Sequence, residues 1–567
     1  MEDFMPVLVV PGVSVETTFD VLPPLPAAAG IVGIVGIVDR PPSTRLVSVT
    51  RVAELQDICG PGTLASMPEA VAALSTGARE LVISAVDGGN AATATLMNAD
   101  EAPAVRLRAR SRGAWANQLK VDVGTVTNAA GKAVRVSLRI LQNDQEVERF
   151  DDLVVQPGQP MDLFSTVNEQ SKFVVAVEPN FDGENPKEGE YPLGEQGSAA
   201  VEQKDAAGTV LMDIKLKPGV TDAGVIVRIA GEDDAITVEV LRNGARQEMF
   251  ERLSMDPDSA RHLPAVLAAQ SRFVRAVPRS SLPAASRLPR ATPTPVALAG
   301  GTSPNVAAYR AAIDLLADEP RIDLVMASFD PALASASVIQ IHQALLAHAL
   351  VASDAAAPRI AFGSVRAADA DSLDAMRDHA AAVRNRRFVL VAPPGATGAV
   401  VGLISRINPE ISPTFQTAQL LDIQPSHYRE SELNVLLGPA VNLLVVQQRP
   451  GRGVIVLKGI NTIGDQISVT RVADRCIRET KAISENFIGQ LNSADAREAL
   501  KQQLIATFTR LERSGALVPS TDGSDPAFIV DVYSTQQDFA QGIVRVDIAV
   551  RPVRAIDYVY ATIRVKN

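Results

Sequence analysis

Cysteine is nearly missing from this sequence: among 567 residues only Cys59 and Cys476 occur, far apart and in no CxxC pair. That excludes a disulfide-stapled scaffold and leaves two buried free thiols in a reducing compartment as the expected state. Also missing is any apolar run of the ~18 residues that a bilayer-spanning helix needs. The longest, AAAGIVGIVGIV at 27–38, is short and rich in glycine, so no membrane insertion is expected. The chain opens with Glu2 and Asp3, which is unlike a secretory signal, and synthesis in the cytoplasm is expected. Positive charge is in deficit. The 54 Lys and Arg against 65 Asp and Glu give a net charge of −11, which argues against direct nucleic-acid binding.

Catalytic and ligand motifs are lacking as well. GIVGIVGIV at 30–38 is not followed by GK[ST], and Asp39 would repel a phosphate. His262, His342, His348, His379 and His427 show no HExxH spacing. Ser328, Ser364 and Ser405 lie near strand ends, but none sits in a GxSxG elbow. Glu232-Asp233-Asp234 lacks EF-hand spacing and reads as a solvated turn. Trp115 reads as core or interface packing. No catalytic residue, cofactor or metal ligand is expected.

What is present begins at the two ends. VLVVPGVSVETTFD (7–20) alternates Val13, Val15 and Thr17 around Pro11-Gly12, and IDYVYATIRV (556–565) places Val559, Ala561, Ile563 and Val565 on one face. Period-two alternation marks strands with one buried face, yet neither has a local partner. Such ends can be tied into their own sheet or add an edge strand to another subunit.

Between the ends, 46% hydrophobic residues and this length imply several domains. GIVGIVGIV reads as a fully buried strand, short helices follow, and ELVISAV (80–86) reads as a second strand, which together open an α/β layer with a parallel sheet. Residues 101–280 change to short alternating strands and carry an internal duplication offset by 100 residues. Leu141 and Asn143 match Leu241 and Asn243, and QSKFV (170–174) matches QSRFV (270–274). Two copies make tandem modules, not a solenoid. Five prolines in 278–295 describe an extended linker. The α/β pattern then resumes, with a helix at 335–352 and strands at 359–362 and 387–392. Paired strands (442–447, 453–458), helices at 470–487 and 495–513, and closing strands at 528–533 and 543–550 complete the chain.

In order and spacing, these motifs resemble the tail sheath proteins of contractile bacteriophages and related injection machines. They are PGV (11–13), GIVGIVG with its β–α–β unit, ARSRGAWANQLKVDVG (109–124), ALAGGTS (297–303), the strand pair within 442–462, RVADRCIRETKAI (471–483) and LERSGAL (511–517). Two departures stand out: Ala116 replaces a usual glycine, and Ile460-Asn461 replace the usual Ala-Arg. The resemblance implies an α/β core of subtilisin-like fold, split in sequence, with inserted β-sandwich-like domains and extended terminal β-arms. The expected divisions are an N-terminal arm (1–25), a first core part (26–100), copy 1 (101–195), copy 2 (200–280), a linker (281–297), the core continued (298–430), a C-terminal α+β domain (431–550) and a C-terminal arm (551–567).

The resemblance further implies subunits stacked as hexameric rings around an inner tube protein, with baseplate and tail terminator proteins as further partners. Val13, Val15 and Thr17 of one arm, and Val559, Ala561, Ile563 and Val565 of the other, would donate strands to neighbours. Val454, Val456, Val546 and Ile548 would form the receiving sheet, and the helix bearing Arg471, Arg475 and Arg478 would face the tube. Contraction would be a rigid-body rearrangement between two packings. The competing readings are an α/β hydrolase-like enzyme with accessory β domains and a self-assembling surface-layer protein.

Overall fold

The computed structural model describes residues 30–558 apart from 41, 43, 129–132, 156–158, 160, 178–184, 194–199, 218–219, 221–223, 258, 260, 279–287 and 422. The chain divides into two compact units, one of residues 28–474 with 554–567 and one of 1–27 with 475–553.

The larger unit is built on an eight-stranded sheet. Its strands are β1 (Ile31–Gly36), β2 (Leu46–Val49), β3 (Glu80–Ala85), β4 (Leu324–Ala327), β5 (Ile360–Ser364), β6 (Phe388–Ala392), β7 (Leu444–Arg449) and β8 (Gly453–Val456), in the order β2-β3-β1-β4-β5-β6-β7-β8. The six inner strands are parallel, and β2 and β8 close the edges antiparallel. β1 pairs with β4 in the register Val32↔Leu324, so the early and late α/β segments share one sheet across the intervening modules. Every residue of β1 is buried, as a strand covered on both faces must be. Ile31 and Val35 enter one apolar cluster while Val32 and Ile34 enter the other.

Four helices supply most of that cover: α1 (Pro68–Ser75), α2 (Ser335–Asp354), α3 (Leu373–Ala382) and α4 (Thr397–Arg406). Ala70 of α1 and Val400 of α4 join the cluster on one face; Ile341 of α2 and Met376 of α3 join that on the other. α2 is long and apolar enough by composition to cross a membrane, but its Val338, Ile341, Leu345 and Ala349 are spaced for one buried face and are all buried in the protein. α1 and α4 touch through Gly398 and Gly402, where an added Cβ would meet the carbonyl oxygens of Glu69 and Ala73. Gly402→Ala should therefore lower stability by about 1–3 kcal/mol, measured as a fall in the urea midpoint with unchanged m, because backbone cannot yield as a side chain can.

The duplication is visible atom by atom. In copy 1 the strands Leu119–Thr127, Ala133–Gln142 and Gln145–Leu153 form a meander, and in copy 2 Val225–Ala230, Ile236–Arg242 and Ala245–Leu253 do the same. Register shifts fall at the same offset, Val136/Leu138 against Ile236/Val238 and Ile140/Leu141 against Val240/Leu241. Both hairpins turn on an asparagine at positive φ, Asn143 at 50° and Asn243 at 52°. Each copy adds a helix (Leu163–Gln170, Leu263–Gln270) and a three-stranded sheet, and the two helices pack on one another.

The linker is not a free tether throughout. Val296–Ala297 pairs with Val121 and Lys120 as the edge strand of copy 1, the place Gly189–Leu193 holds in copy 2. A short strand made by a distant segment has no local periodicity to betray it. Likewise Thr93–Met97 pairs with Pro103–Ala109, so copy 1 begins before residue 101.

Candidate assembly interface

The smaller unit holds α6 (Ala494–Arg513), most of α5 (Ile467–Glu485) and a hairpin of β9 (Phe528–Tyr533) and β10 (Arg545–Val550). Ser493 caps α6 by accepting from the Ala496 N–H. Its Leu500, Leu504, Phe508 and Leu511 are buried, with the Phe508 ring 5.6 Å from that of Phe528 on β9. The hairpin's connection is pinned by Asp538. It shares a capping box with Thr535 and takes two bonds of 2.8 Å from the Arg545 guanidinium, which holds its carboxyl well below the usual carboxylate range.

β9 and β10 pair in the register Val530↔Ile548 and Val532↔Val546. The Arg551 N–H donates to the Ala527 carbonyl at 2.9 Å. Hydrogen-bonded pairs alternate in an antiparallel ladder, so Arg545, Asp547 and Ala549 bond β9. The main-chain groups of Val546, Ile548 and Val550 then point to the opposite edge. Among the described residues that edge carries no strand. Their side chains are half-buried while the alternate ones are exposed, so one face of β10 is packed.

Beside β10 runs an apolar groove of about 270 Å³, lined by Phe487, Ile488, Leu491, Leu500, Val544 and Val546. Ile488 and Leu491 are 82% and 86% exposed, an expensive arrangement for isolated aliphatic side chains in water.

In the larger unit the chain beyond Val553 is held by Gln466. Its amide oxygen accepts the Ala555 N–H at 2.9 Å and its amide nitrogen donates to the Ala555 carbonyl at 2.9 Å and to Asp557 Oδ2 at 2.8 Å. Arg554 adds a 2.9 Å ion pair with Asp465. Ile556 and Tyr558 then stand 81% and 65% exposed.

The structure separates the predicted receiving residues. Val546 and Ile548 lie on β10, but Val454 and Val456 lie on β8, in the eight-stranded sheet of the other unit, so residues 444–456 belong to the core sheet. The outer edge of β8 is covered, because the Phe415 and Ala418 N–H groups donate to the Val456 and Val454 carbonyls. Strand pairs close in sequence gave no signal of which sheet each joins. Arg471 is also corrected: it is 5% exposed and donates to the carbonyls of Ile407 and Asn408, so it faces its own chain. Arg475 pairs with Glu479 at 3.7 Å, and both Arg475 and Arg478 are half-buried. Val13, Val15, Thr17, Val559, Ala561, Ile563 and Val565 lie outside the described residues.

The hydroxyls of Ser328, Ser364 and Ser405 donate to the carbonyls of Ser66, Val365 and Gly30.

The class so defined is a mixed α/β protein of several separate sheets, with a hairpin edge that no described strand covers. Residues 462–566 match the family model described as phage tail sheath C-terminal domain. That stretch of the chain is thus similar to the C-terminal domain of phage tail sheath proteins. Among solved structures it is similar to a sheath tail protein from Desulfitobacterium hafniense (14% identity, 96% of this chain and 97% of that one, TM-score 0.46). A sheath tail protein from Listeria innocua follows (12%, 93% and 93%, TM-score 0.44). The contracted helical sheath of the anti-feeding prophage is matched over 46% of this chain and 75% of that one (16%, TM-score 0.36). No curated protein matches.

Proposed function

We propose that this chain is the structural subunit of a contractile sheath. It polymerises as stacked hexameric rings around an inner tube and contracts from a metastable extended state to drive the tube through a target envelope. The split eight-stranded sheet serves as the subtilisin-like core, the duplicated modules decorate it, and baseplate and tail terminator proteins bound the stack. The observation that carries the reading is the edge of β10, covered by no strand among the described residues and lying beside an apolar groove, within a stretch that matches the phage tail sheath C-terminal domain model. Strand addition supplies main-chain hydrogen bonds to such an edge, and the alternating valines of 7–17 and 559–565 fit its half-buried face. Head-to-tail contacts of this kind do not close on themselves and so build helical arrays. The Gln466 clamp at the root of the C-terminal arm lets that arm leave the core from a defined point.

Deleting residues 1–20 tests the reading. The expected product is a folded protein that no longer forms tubes by negative-stain microscopy, whereas tubes of undiminished length would refute arm exchange.

A further inference from the structure

The order of the large sheet places β3 and β4 on opposite sides of β1, so successive connections diverge there. In open α/β sheets that divergence opens a crevice outside the carboxyl ends of the strands, where ligands bind. This protein has a cleft of about 430 Å³ at that place, bounded by the segments that follow β1, β4, β5 and β6 and roofed by Trp115, Gln118, Gln142 and Phe173 of copy 1. Its volume lies in the ~300–1,000 Å³ range of small-molecule sites.

The charges around it are already matched. Both oxygens of Asp330 are engaged, Oδ2 by the Ser303 hydroxyl at 2.8 Å and Oδ1 by the Ala332 N–H at 3.0 Å. Arg366 bonds the Ser335 hydroxyl at 3.0 Å and faces Asp369 at 3.8 Å. Glu69 accepts the Gly398 N–H, and its burial pushes the carboxyl up to about 8, so it is mostly a neutral acid near pH 7. An anion would find no unmatched cation here, and a cation no unmatched carboxylate. The polar lining also includes the carboxamides of Gln118 and Gln142, the Glu69 acid and the hydroxyls of Ser66, Ser328 and Ser364, groups that both donate and accept, although the Ser328 and Ser364 hydrogens are already given to the Ser66 and Val365 carbonyls. The Arg366 Nε–H, buried and without a hydrogen-bond partner among the described residues, adds a donor. Phe329, Pro331 and Phe173 supply apolar faces.

We propose that this crevice binds a neutral polyhydroxylated small molecule of mono- to disaccharide size. Hydroxyls match groups that donate and accept at once, and the C–H faces of a sugar ring match the aromatic and proline walls. The proposal is independent of assembly and would stand or fall without the sheath reading.

Titration calorimetry of the full chain with glucose, N-acetylglucosamine, maltose and trehalose, each to about 20 mM, tests it, since a ~1 mM site saturates there. The expected result is saturable heat from at least one sugar, weakened at least tenfold in the Gln118→Ala/Gln142→Ala double variant while thermal unfolding is unchanged. General exclusion of sugars from protein surfaces gives no saturation and no dependence on these residues. No saturable heat from any of the four, or binding indifferent to the double variant, overturns the proposal.

Discussion

Acidification from pH 7 to 5 should destabilise the larger unit steeply, with the unfolding midpoint followed by fluorescence of the single tryptophan, Trp115. The cause is a set of buried imidazoles. His342 on α2 and His379 on α3 share a hydrogen bond of 2.8 Å between Nδ1 and Nε2, their rings stacked 5.0 Å apart. Phe329 and Phe388 enclose the His342 ring, and Gly363 of β5 lies so close that a Cβ would come within 2.6 Å of it. Its Nε2 is buried without a hydrogen-bond partner among the described residues. Burial, with His379 beside it, holds His342 well below the ordinary imidazole range, and burial depresses His379 to about 4. His348, buried against Arg359, is also held at about 4, and His262 of copy 2 at about 3.

The sign follows from which state binds protons first. Unfolded imidazoles titrate near 6.5, so between that value and about 4 the unfolded chain carries protons that the folded one lacks, and stability falls as pH drops. Each imidazole contributes at most ~1.4 kcal/mol per pH unit in that window. Glu69 opposes them. Its folded value of about 8 lies above the ordinary carboxyl, so its stabilising effect grows as pH falls from 8 towards 4.5. Burial also raises Glu148, but four imidazoles outweigh two carboxyls, and the net slope remains destabilising with acid. In His379→Asn the slope between pH 6.5 and 5 should be shallower by about one proton, a loss of up to ~1.4 kcal/mol per pH unit. A variant slope equal to that of the wild type would show that the imidazole pair is not linked to unfolding.

None of this chemistry was legible in the sequence, where the five histidines fit no motif. What brings His342 to His379 is the parallel sheet, which sets helices 37 residues apart on one face. The fold was more readable. β1 was recognisable because a strand buried on both faces must be apolar throughout, and α6 because its leucines recur at helical spacing. The duplication was readable because equal offsets preserve equal contacts: Glu148 accepts the Ser171 hydroxyl at 2.6 Å and Glu248 the Ser271 hydroxyl at 2.6 Å. α4 carries no such signal, since TGAVVGLISR is buried along nearly its whole length and holds two glycines, which weakens any periodicity. Those glycines serve close helix contact, a property of the partner helix and invisible locally. The four expected receiving residues fall in two different sheets for a similar reason. Alternation identifies a strand's faces but not the sheet it joins.

The outer edge of β10, covered by no described strand, gives the sharpest test of the proposed assembly, because edge and ladder can be separated by one residue. Val546 turns its N–H to the outer edge, so proline there removes a donor from an incoming strand and none from the pairing with β9. Proline also keeps most of the side-chain bulk of valine, so the unit should stay folded, its thermal midpoint falling by a few degrees for a cost of about 1 kcal/mol. On the proposed strand addition, polymer measured by sedimentation at fixed protein concentration should fall at least tenfold, since the lost main-chain bond would recur at every subunit contact. Asp547→Pro is the reciprocal control. It removes a ladder bond to β9 and should unfold the hairpin, seen as a larger thermal loss than for Val546→Pro. If Val546→Pro polymerises as the wild type does, no strand adds at this edge. The exposed Ile488 and Leu491 must then meet their partner by side-chain packing alone, and Leu491→Asp would become the more damaging change.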